Sequence, residues 1–422
     1  MKIAYFVDEF PPFFRGGLGT YATEITKQFI VKGHSISVFS RNTGNDPTFD
    51  NRGGVEVHRP RLMTFSDILP FVNPAEIQTW DLNGQNFFAE TVLYNLLSAS
   101  KLVNHLVQNE QRQYDLLVSH DWIASLAGII SRRNLGIPFV FHFHSTEQGR
   151  NPSGSVTIRE IERLSAATAD CIVTVSYAMR EELITYGYTE SKIRVIHNGV
   201  DADKYNPARI SQKEVDEFRE HIGVGSSTMV FFIGRLTWVK GADMLVLAMP
   251  EIIREVPDAK LVLLGIGDQE QMLSQLVRDL HLGRNVILSF KMLPEEERVK
   301  YYAASDVCVF PSKYEPFGIV CTEAMSMAKP VVVGARGTSG FREQVIPAGD
   351  DICGYHVDPG NPSDIARYVM KILKDRALAA TMGKNGRNRV LGHFTWDHIA
   401  DMTLRVYQDV AFPSRQTRRS GP

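Results

Sequence analysis

Short apolar runs alternate with amphipathic, helix-like segments along the whole chain. In the first half the strand-like runs span residues 3–7, 35–39, 115–119, 138–143, 171–175 and 193–197. The helix-like segments between them span residues 20–32, 90–108, 123–133, 157–169 and 177–186. Strands and helices in alternation predict an α/β fold with a doubly wound parallel sheet.

The alternation pauses at a polar, helical stretch, residues 204–227, and then restarts. The second set of strand-like runs spans residues 229–234, 261–264, 286–290, 307–310 and 331–334. Its helix-like segments span residues 243–255, 269–280, 295–304, 319–327, 362–375, 377–391 and 396–410. We therefore predict two domains of the same kind, residues 1–205 and 206–393. Ligands of open sheets bind beyond the carboxyl ends of the strands, so the cleft between the predicted domains is the expected site.

Residues 59–89 do not fit the alternation. The stretch carries several aromatic residues among Pro, Gly and Asn, namely Phe65, Phe71, Trp80, Phe87 and Phe88. A long irregular stretch inside a compact domain is often a functional loop or lid. An aromatic cluster packed beneath such a loop explains the same residues equally well, so both interpretations stay open.

Composition narrows the class of protein. A length of 422 residues fits two domains, and 44% apolar with 22% charged residues is ordinary for a globular enzyme. The net charge of −2 argues against a nucleic-acid partner. No apolar run could span a bilayer or form a signal peptide, so we expect a cytoplasmic protein whose polar tail, residues 413–422, is flexible. The four cysteines contain no C-x-x-C pair and are expected to be buried thiols.

Residues 306–325 are the most informative stretch of the sequence. A buried strand, a loop and a helix-forming segment follow one another there. A helix start favours phosphate, because its first N–H groups are free and its dipole end is positive. Glu315 and Glu323 bracket this point, and carboxylates in such a position are suited to bonding sugar or ribose hydroxyls. Two solvated glutamates flanking a turn are the plainer alternative.

Two further loops follow the first strand of each predicted sheet. Arg235 and Lys240 lie on a strand-to-helix loop, where two cations neutralise the charge that grows as a diphosphate departs. Gly16 and Gly17 lie on the other loop, where glycines let a ligand approach the backbone closely. Exposed loop cations and an ordinary glycine turn are the plainer alternatives.

Histidines collect at the ends of two predicted strands. His142 and His144 share one face of a strand end, and His120 with Asp121 ends the strand before it in the chain. An H-x-H pattern can bind a metal ion, but the sequence offers no third ligand at a useful spacing. We therefore expect no metal site, and interpret His142 as a packed core residue.

The sequence E-P-F-G-I-V-C-T-E-A-M, residues 315–325, resembles the E-x7-E motif of retaining glycosyltransferases with the GT-B fold. It is most similar to glycosyltransferase family 4, the group of glycogen synthases and sucrose-phosphate synthases. Three other segments resemble elements of that family: G-R-L-T-W-V-K-G at 234–241, G-G-L at 16–18 and H-D-W at 120–122. The resemblance covers residues 3–410. It implies two Rossmann-like domains facing a cleft, with a helix at 394–412 crossing back to the first domain.

The resemblance also implies roles for individual residues. Arg235 and Lys240 contact the donor diphosphate. Glu323 bonds the ribose hydroxyls, Glu315 bonds the sugar hydroxyls, and His144 contacts the donor sugar. The further donor-binding positions are Gly16, Gly17, Gly267, Leu293, Phe317 and Gly318. The positions for acceptor or sugar hydroxyls are Asp121 and Glu147.

The implied activity is retaining transfer of a hexose, with glucose in first place, from a UDP- or ADP-sugar to an acceptor hydroxyl. A glucan is one acceptor, and no metal ion or other cofactor is expected. A sucrose-phosphate-synthase-like enzyme, or one acting on a lipid or small molecule, is a narrower alternative. A nucleotide-sugar 2-epimerase of the same fold and an inactive nucleotide-binding scaffold stay open as well. The sequence is compatible with an oligomer.

Overall fold

The structure, a computed structural model, describes residues 1–12, 16–44, 46–63 and 73–413. The chain divides into two compact units. The first unit comprises Met1–Val175, Arg180–His197 and Trp396–Pro422, and the second comprises Ser176–Met179 and Asn198–Thr395. The N-terminal residues and the last helix therefore belong to the first unit, whose main boundary falls at residue 197 where the sequence suggested 205.

Within the described ranges strands and helices alternate along most of the chain, as the sequence pattern suggests. The strands are β1 (Lys2–Phe6), β2 (Ser35–Phe39), β3 (Phe49–Arg52), β4 (Val55–His58), β5 (Leu116–His120), β6 (Phe139–Phe143), β7 (Cys171–Thr174), β8 (Ile193–Val195), β9 (Met229–Ile233), β10 (Lys260–Leu264), β11 (Val286–Ser289), β12 (Val307–Phe310), β13 (Val331–Gly334) and β14 (Gly354–Val357). The helices are α1 (Gly17–Val31), α2 (Leu82–Ser100) with a π-helical continuation (Lys101–Asn109), α3 (Asp121–Leu135), α4 (Glu147–Arg150), α5 (Val156–Thr168), α6 (Tyr177–Thr185), α7 (Gln212–His221), α8 (Ala242–Glu255), α9 (Glu270–Asp279), α10 (Glu295–Ala304), α11 (Ile319–Ser326), α12 (Phe341–Gln344), α13 (Pro362–Leu373), α14 (Arg376–His393) and α15 (Trp396–Ala411).

The first unit is built on one large sheet. Across the described residues its strand order is β3-β4-β2-β1-β5-β6-β7-β8, parallel except for the β3–β4 pair. Ile3 of β1 lies opposite Ile36 of β2 on one side and Leu116 of β5 on the other. The strand order reverses at β1, so the carboxyl ends of β1 and β5 form the kind of switch point at which α/β sheets bind ligands.

The last helix completes the core of the first unit. The buried residues of α15 recur three or four positions apart and so form one face: Trp396, Ile399, Ala400, Thr403, Leu404 and Tyr407. This face packs on α1, in a cluster that includes Ile25 and Phe29. Lys32, just after α1, pairs with Asp397 at 2.7 Å and with Asp401 at 2.8 Å. Apolar burial and exposed ion pairs together attach the C-terminal helix to the first unit.

The second unit holds a parallel sheet in the order β11-β10-β9-β12-β13-β14, as far as the chain is described. Val230 of β9 lies opposite Leu261 of β10 and Val307 of β12. The helices α8 and α13 pack together on this sheet and bury much of its apolar surface. Here the order reverses at β9, which puts a second switch point at the carboxyl ends of β9 and β12.

The predicted and observed bounds agree residue for residue in three strands. The predicted bounds of β2, β12 and β13 match those of the structure. The sequence analysis missed β3, β4 and β14, because these four-residue strands lie at or next to a sheet edge and contain polar residues. The missed strands all lie away from the switch points.

Residues 59–89 are only partly irregular. The expectation of a long loop was wrong from Leu82 onward, where α2 begins. Trp80 and Phe88 join a small apolar cluster with Trp122, and the rings of Phe88 and Trp122 stack with centroids 6.2 Å apart. For these residues the structure favours the packed cluster. Phe65 and Phe71 lie outside the described residues, as do residues 414–422 of the predicted tail.

All four cysteines are buried and free, as expected: Cys171, Cys308, Cys321 and Cys353. Burial raises the pKa of Cys171 to about 11 and of Cys308 to about 12, so neither thiol is ionised at neutral pH. In the part of the chain that the structure describes, no helix combines the length and the apolar character needed to cross a membrane.

Candidate active site

The switch point of the second unit brings together a lysine and a glutamate that are far apart in sequence. Lys240 Nζ, on the loop after β9, donates to Oε2 of Glu315 at 2.5 Å. Ser312 Oγ, just after β12, donates to the same oxygen at 3.1 Å. Glu315 is 6% exposed, so its carboxylate is held by both partners in a largely buried position. Both charged residues were predicted from the sequence.

Backbone contacts fix the position of Glu315. Its N–H donates to the carbonyl of Thr338 at 3.0 Å, and the N–H of Gly340 donates to the Glu315 carbonyl at 2.8 Å. The loop after β12 is therefore attached to the loop after β13 by a short parallel bridge. These backbone hydrogen bonds hold the loop, and therefore Glu315, at the sheet edge.

Gly318 lets α11 begin beside this carboxylate. Its φ is +91°, a left-handed conformation that glycine adopts easily, and a Cβ there would lie 2.2 Å from the Phe341 ring. Among the described residues no side chain caps the start of α11. The first N–H groups of this helix and its positive dipole end suit an anionic ligand.

Glu323 is held inside α11 by two residues of α10. Tyr302 donates its hydroxyl to Glu323 Oε2 at 2.7 Å, and Arg298 Nη1 lies 3.5 Å from Oε1. Burial raises the pKa of Tyr302, and the Glu323 charge raises it further. Burial opposes the charge of Arg298, but Glu323 and its neighbours outweigh burial and raise the Arg298 pKa. Arg298 and Tyr302 were not predicted from the sequence. The pattern that could have indicated them is their spacing, because residues four positions apart lie on the same face of a helix.

Arg235 offers a cation at the same edge. It is exposed, directly after β9, and its side chain has no hydrogen-bond or ion-pair partner among the described residues. The loop that carries it is braced by the loop after β10: Leu236 N–H donates to the Ile266 carbonyl at 2.8 Å. Gly267 permits this contact, since a Cβ there would lie 2.2 Å from the carbonyl oxygen of Leu236.

Two other predicted donor-side residues have different surroundings. Phe317 is buried, with its ring centroid 6.0 Å from that of Phe394, and its carbonyl accepts a hydrogen bond from Gln344 Nε2 at 2.7 Å. Its side chain therefore contributes to the core of the second unit. Leu293 is half-buried just before α10.

The switch point of the first unit carries the predicted glycine loop and Asp121. Gly16 N–H donates to Glu9 Oε2 at 3.2 Å, while Phe14 and Arg15 lie outside the described residues. Gly17 opens α1. Asp121 has a φ of +50° at the start of α3, and its Oδ1 accepts a hydrogen bond from the backbone N–H of His144 at 2.7 Å. Asp121 thus joins the ends of β5 and β6.

Three histidines meet beside Asp121. His120 Nδ1 lies 3.0 Å from His144 Nε2, and His142 Nε2 lies 2.8 Å from the Tyr407 hydroxyl. One ring nitrogen of each lies within 4.8 Å of the other two. The expectation that no third ligand accompanies His142 and His144 was wrong, because the pairing of β5 with β6 brings His120 next to them. His142 is buried, as predicted.

Glu147 is occupied by contacts within the first unit. Its Oε1 accepts a hydrogen bond from Ser155 N–H at 3.0 Å, and its Oε2 lies 3.2 Å from Arg150 Nη2. The Glu147 N–H donates to Glu162 Oε1 at 2.8 Å. Burial raises the pKa of Glu162 to about 8. The structure thus gives Glu147 a bracing role in the segment after β6.

Comparisons with known proteins show the family to which the whole chain is similar. Residues 15–204 match the family described as Glycosyltransferase Family 4, and residues 214–389 match the family described as Glycosyl transferases group 1. An uncharacterized glycosyltransferase of Methanocaldococcus jannaschii is 33% identical over 417 residues, 97% of this chain and 98% of that protein. A glycogen synthase of Mycobacterium tuberculosis is 26% identical over 96% of this chain and 94% of its own.

Among solved structures, a sucrose-phosphate synthase from Thermosynechococcus elongatus matches with a TM-score of 0.77. Its sequence identity is 23%, over 98% of this chain and 100% of that one, so the likeness concerns the fold. Two parallel-sheet units and this likeness define the GT-B fold. The chain belongs to glycosyltransferase family 4.

Proposed function

We propose that this protein is a retaining enzyme that transfers a hexose, glucose in first place, from a nucleoside diphosphate sugar to an acceptor hydroxyl. One observation carries the proposal: Lys240 is paired with the buried Glu315 at 2.5 Å, beside the exposed Arg235, at the switch point of the second unit. Cations there suit a diphosphate, and a carboxylate among them suits sugar hydroxyls.

In this proposal Arg235 and Lys240 bind the donor diphosphate. Negative charge grows on the diphosphate as the bond to the sugar breaks, so cations fixed beside it stabilise the transition state more than the ground state. Lys240 is the better fixed of the two because Glu315 orients it. The acceptor hydroxyl gives its proton to a donor phosphate oxygen on the same face of the sugar, without a dedicated protein base.

The other site residues bind hydroxyl groups in this proposal. Glu315 bonds those of the donor sugar and Glu323 those of the ribose. Glu323 is buried by Tyr302 and Arg298, so we expect these two residues to set its orientation. His144 and Asp121 of the first unit contact the sugar or the acceptor. Arg235 and Lys240 supply the positive charge that a metal ion supplies in other diphosphate sites, so we propose that transfer needs no metal.

Named relatives and structural neighbours support a proposal for the donor and acceptor classes. One relative is named a glycogen synthase, and structural neighbours are described in complex with UDP-glucose and with ADP, so we propose a UDP- or ADP-sugar as donor. A glucan or a phosphorylated sugar is the acceptor class with most support. Fold alone does not fix the substrate, so both belong in the first assays.

The Lys240→Ala variant tests the central assignment. We expect turnover to fall about 10²-fold or more, the scale of losing one transition-state hydrogen-bond donor. Lys213→Ala, which removes an exposed lysine on α7 of the same unit, is the matched control and should keep wild-type turnover. Steady-state transfer from UDP-glucose and ADP-glucose is the measurement. Near-normal turnover of Lys240→Ala would contradict the diphosphate role.

A further inference from the structure

The histidines at the switch point of the first unit form an unusually close group. His120 ends β5, His142 lies on β6, and His144 follows β6. His120 Nδ1 and His144 Nε2 are 3.0 Å apart, and one nitrogen from each of the three rings lies within 4.8 Å of the other two. His120 and His142 are buried, while His144 is partly exposed and gives solvent access to the group.

Imidazole nitrogens are common ligands of transition-metal ions, and a neutral ring offers one lone pair. In the part of the chain that is described, His120 Nε2 and the Tyr5 hydroxyl are buried without a hydrogen-bond partner. Hydrogen bonding within the protein therefore leaves this group incompletely satisfied.

We propose that His120, His142 and His144 form a binding site for a divalent transition-metal ion, with Zn²⁺ as the best-suited ion. Zn–N distances of about 2.0–2.1 Å put tetrahedral ligand nitrogens about 3.4 Å apart. The separation of 3.0 Å between His120 and His144 is close to this value, and a ring nitrogen of His142 lies within 4.8 Å of both.

The surroundings have the features of a metal site's outer shell. The Tyr407 hydroxyl, 2.8 Å from His142 Nε2, orients that ring. Asp121 accepts a hydrogen bond from the backbone N–H of His144, so its charge lies beside the group and offsets part of that of a cation. The rings of Tyr5 and Tyr21 lie against His120 and His144 and limit their movement.

The ion has a regulatory rather than a catalytic role in this proposal. Zn²⁺ takes the lone pair of His144, the residue assigned to the donor sugar, so bound Zn²⁺ should inhibit transfer reversibly. This consequence rests on the proposed function, whereas metal binding itself does not. A spectroscopic measurement therefore separates failure of one proposal from failure of the other.

Cobalt is the probe. The full chain is treated with chelator, desalted and titrated with Co²⁺, whose visible absorption is intense in tetrahedral or five-coordinate nitrogen sites and weak in water. We expect one Co²⁺ ion per chain to bind with intense absorption. One equivalent of Zn²⁺ should displace it. Removing one ligand should weaken Co²⁺ binding by more than the about 10–100-fold that the loss of an outer-shell partner costs. The variants are His120→Gln and His142→Gln, the latter keeping a hydrogen-bonding group for Tyr407.

The matched control is His105→Gln, which removes an exposed histidine of the same unit and should leave the Co²⁺ spectrum unchanged. Thermal unfolding checks that each variant is folded. The conclusion is drawn from a ligand variant that is folded. Absence of an intense Co²⁺ band in the folded wild-type protein would overturn the proposal. A band that survives unchanged in the folded ligand variant would overturn it too, because the ion would then lie elsewhere.

Discussion

At the scale of single residues, burial determines the protonation of Glu162. Glu162 is 2% exposed on α5, and its pKa is raised to about 8 by burial. Its neighbour Glu147 pairs with Arg150, at 3.2 Å. In the folded protein Glu162 therefore keeps its proton at pH values at which the unfolded chain has lost it.

Glu162→Gln should change how stability depends on pH. The pKa of Glu162 rises from 4.5 to about 8 on folding, so its contribution to stability is complete below about pH 4.5 and declines as the pH rises to about 8. We expect Glu162→Gln to flatten the fall in unfolding free energy across this window. Urea unfolding at pH 5, 6.5 and 8 measures it, with Glu160→Gln on the exposed side of α5 as control. Equal slopes in the two variants would refute the buried, protonated carboxyl.

The residues that could be predicted are those whose chemistry is local in sequence. Arg235, Lys240 and Glu315 lie on the loops that follow strands, and charged residues in such loops are visible in the sequence alone. His120 was not recognised as a partner of His144, because only the β5–β6 register brings them together. Arg298 was missed for the same reason: its partner Glu323 lies on another helix.

At the scale of elements, glycines let loops at the carboxyl edge of the second sheet pack backbone against backbone. A Cβ on Gly241 would lie 2.1 Å from the Pro311 carbonyl oxygen, and one on Gly334 would lie 2.4 Å from that of Ser312. Strands and helices with a clear apolar pattern could be predicted from the sequence. The backbone contacts at Gly241 and Gly334 could not, because they depend on which loops meet in the folded protein. Among the short strands missed, β3 and β14 lie at sheet edges, where polar residues weaken the pattern.

Gly318→Ala tests the start of α11. The left-handed backbone alone should cost about 1–2 kcal/mol, and the clash with the Phe341 ring adds to it and displaces Glu315. Gly349→Ala is a matched control, because Gly349 has a φ of +85° but a Cβ there would have nothing within 4 Å. We expect Gly318→Ala to lower the urea midpoint more than Gly349→Ala does, and to weaken nucleotide binding. Equal effects of the two substitutions would mean that the Phe341 contact is unimportant.

At the scale of the whole molecule, each of the two units carries its polar residues where its own strand order reverses. In the first unit these are Asp121 and the histidines, and in the second they are Arg235, Lys240 and Glu315. Relatives align along nearly all of the chain, 97% in one case, so both units belong to the family pattern. The proposed function assigns nucleotide binding to the second unit and contact with sugar and acceptor to the first.

Calorimetric titration with UDP, ADP and GDP in the presence of chelator tests the central claim most directly. We predict that one diphosphate binds without metal, and that Arg235→Ala weakens it about 10-fold or more, the value of one charged hydrogen bond. Arg376→Ala, at the exposed start of α14, should bind as wild type does. If the folded protein binds none of the three, or binds only when Mg²⁺ is added, the metal-free diphosphate site of the second unit is contradicted.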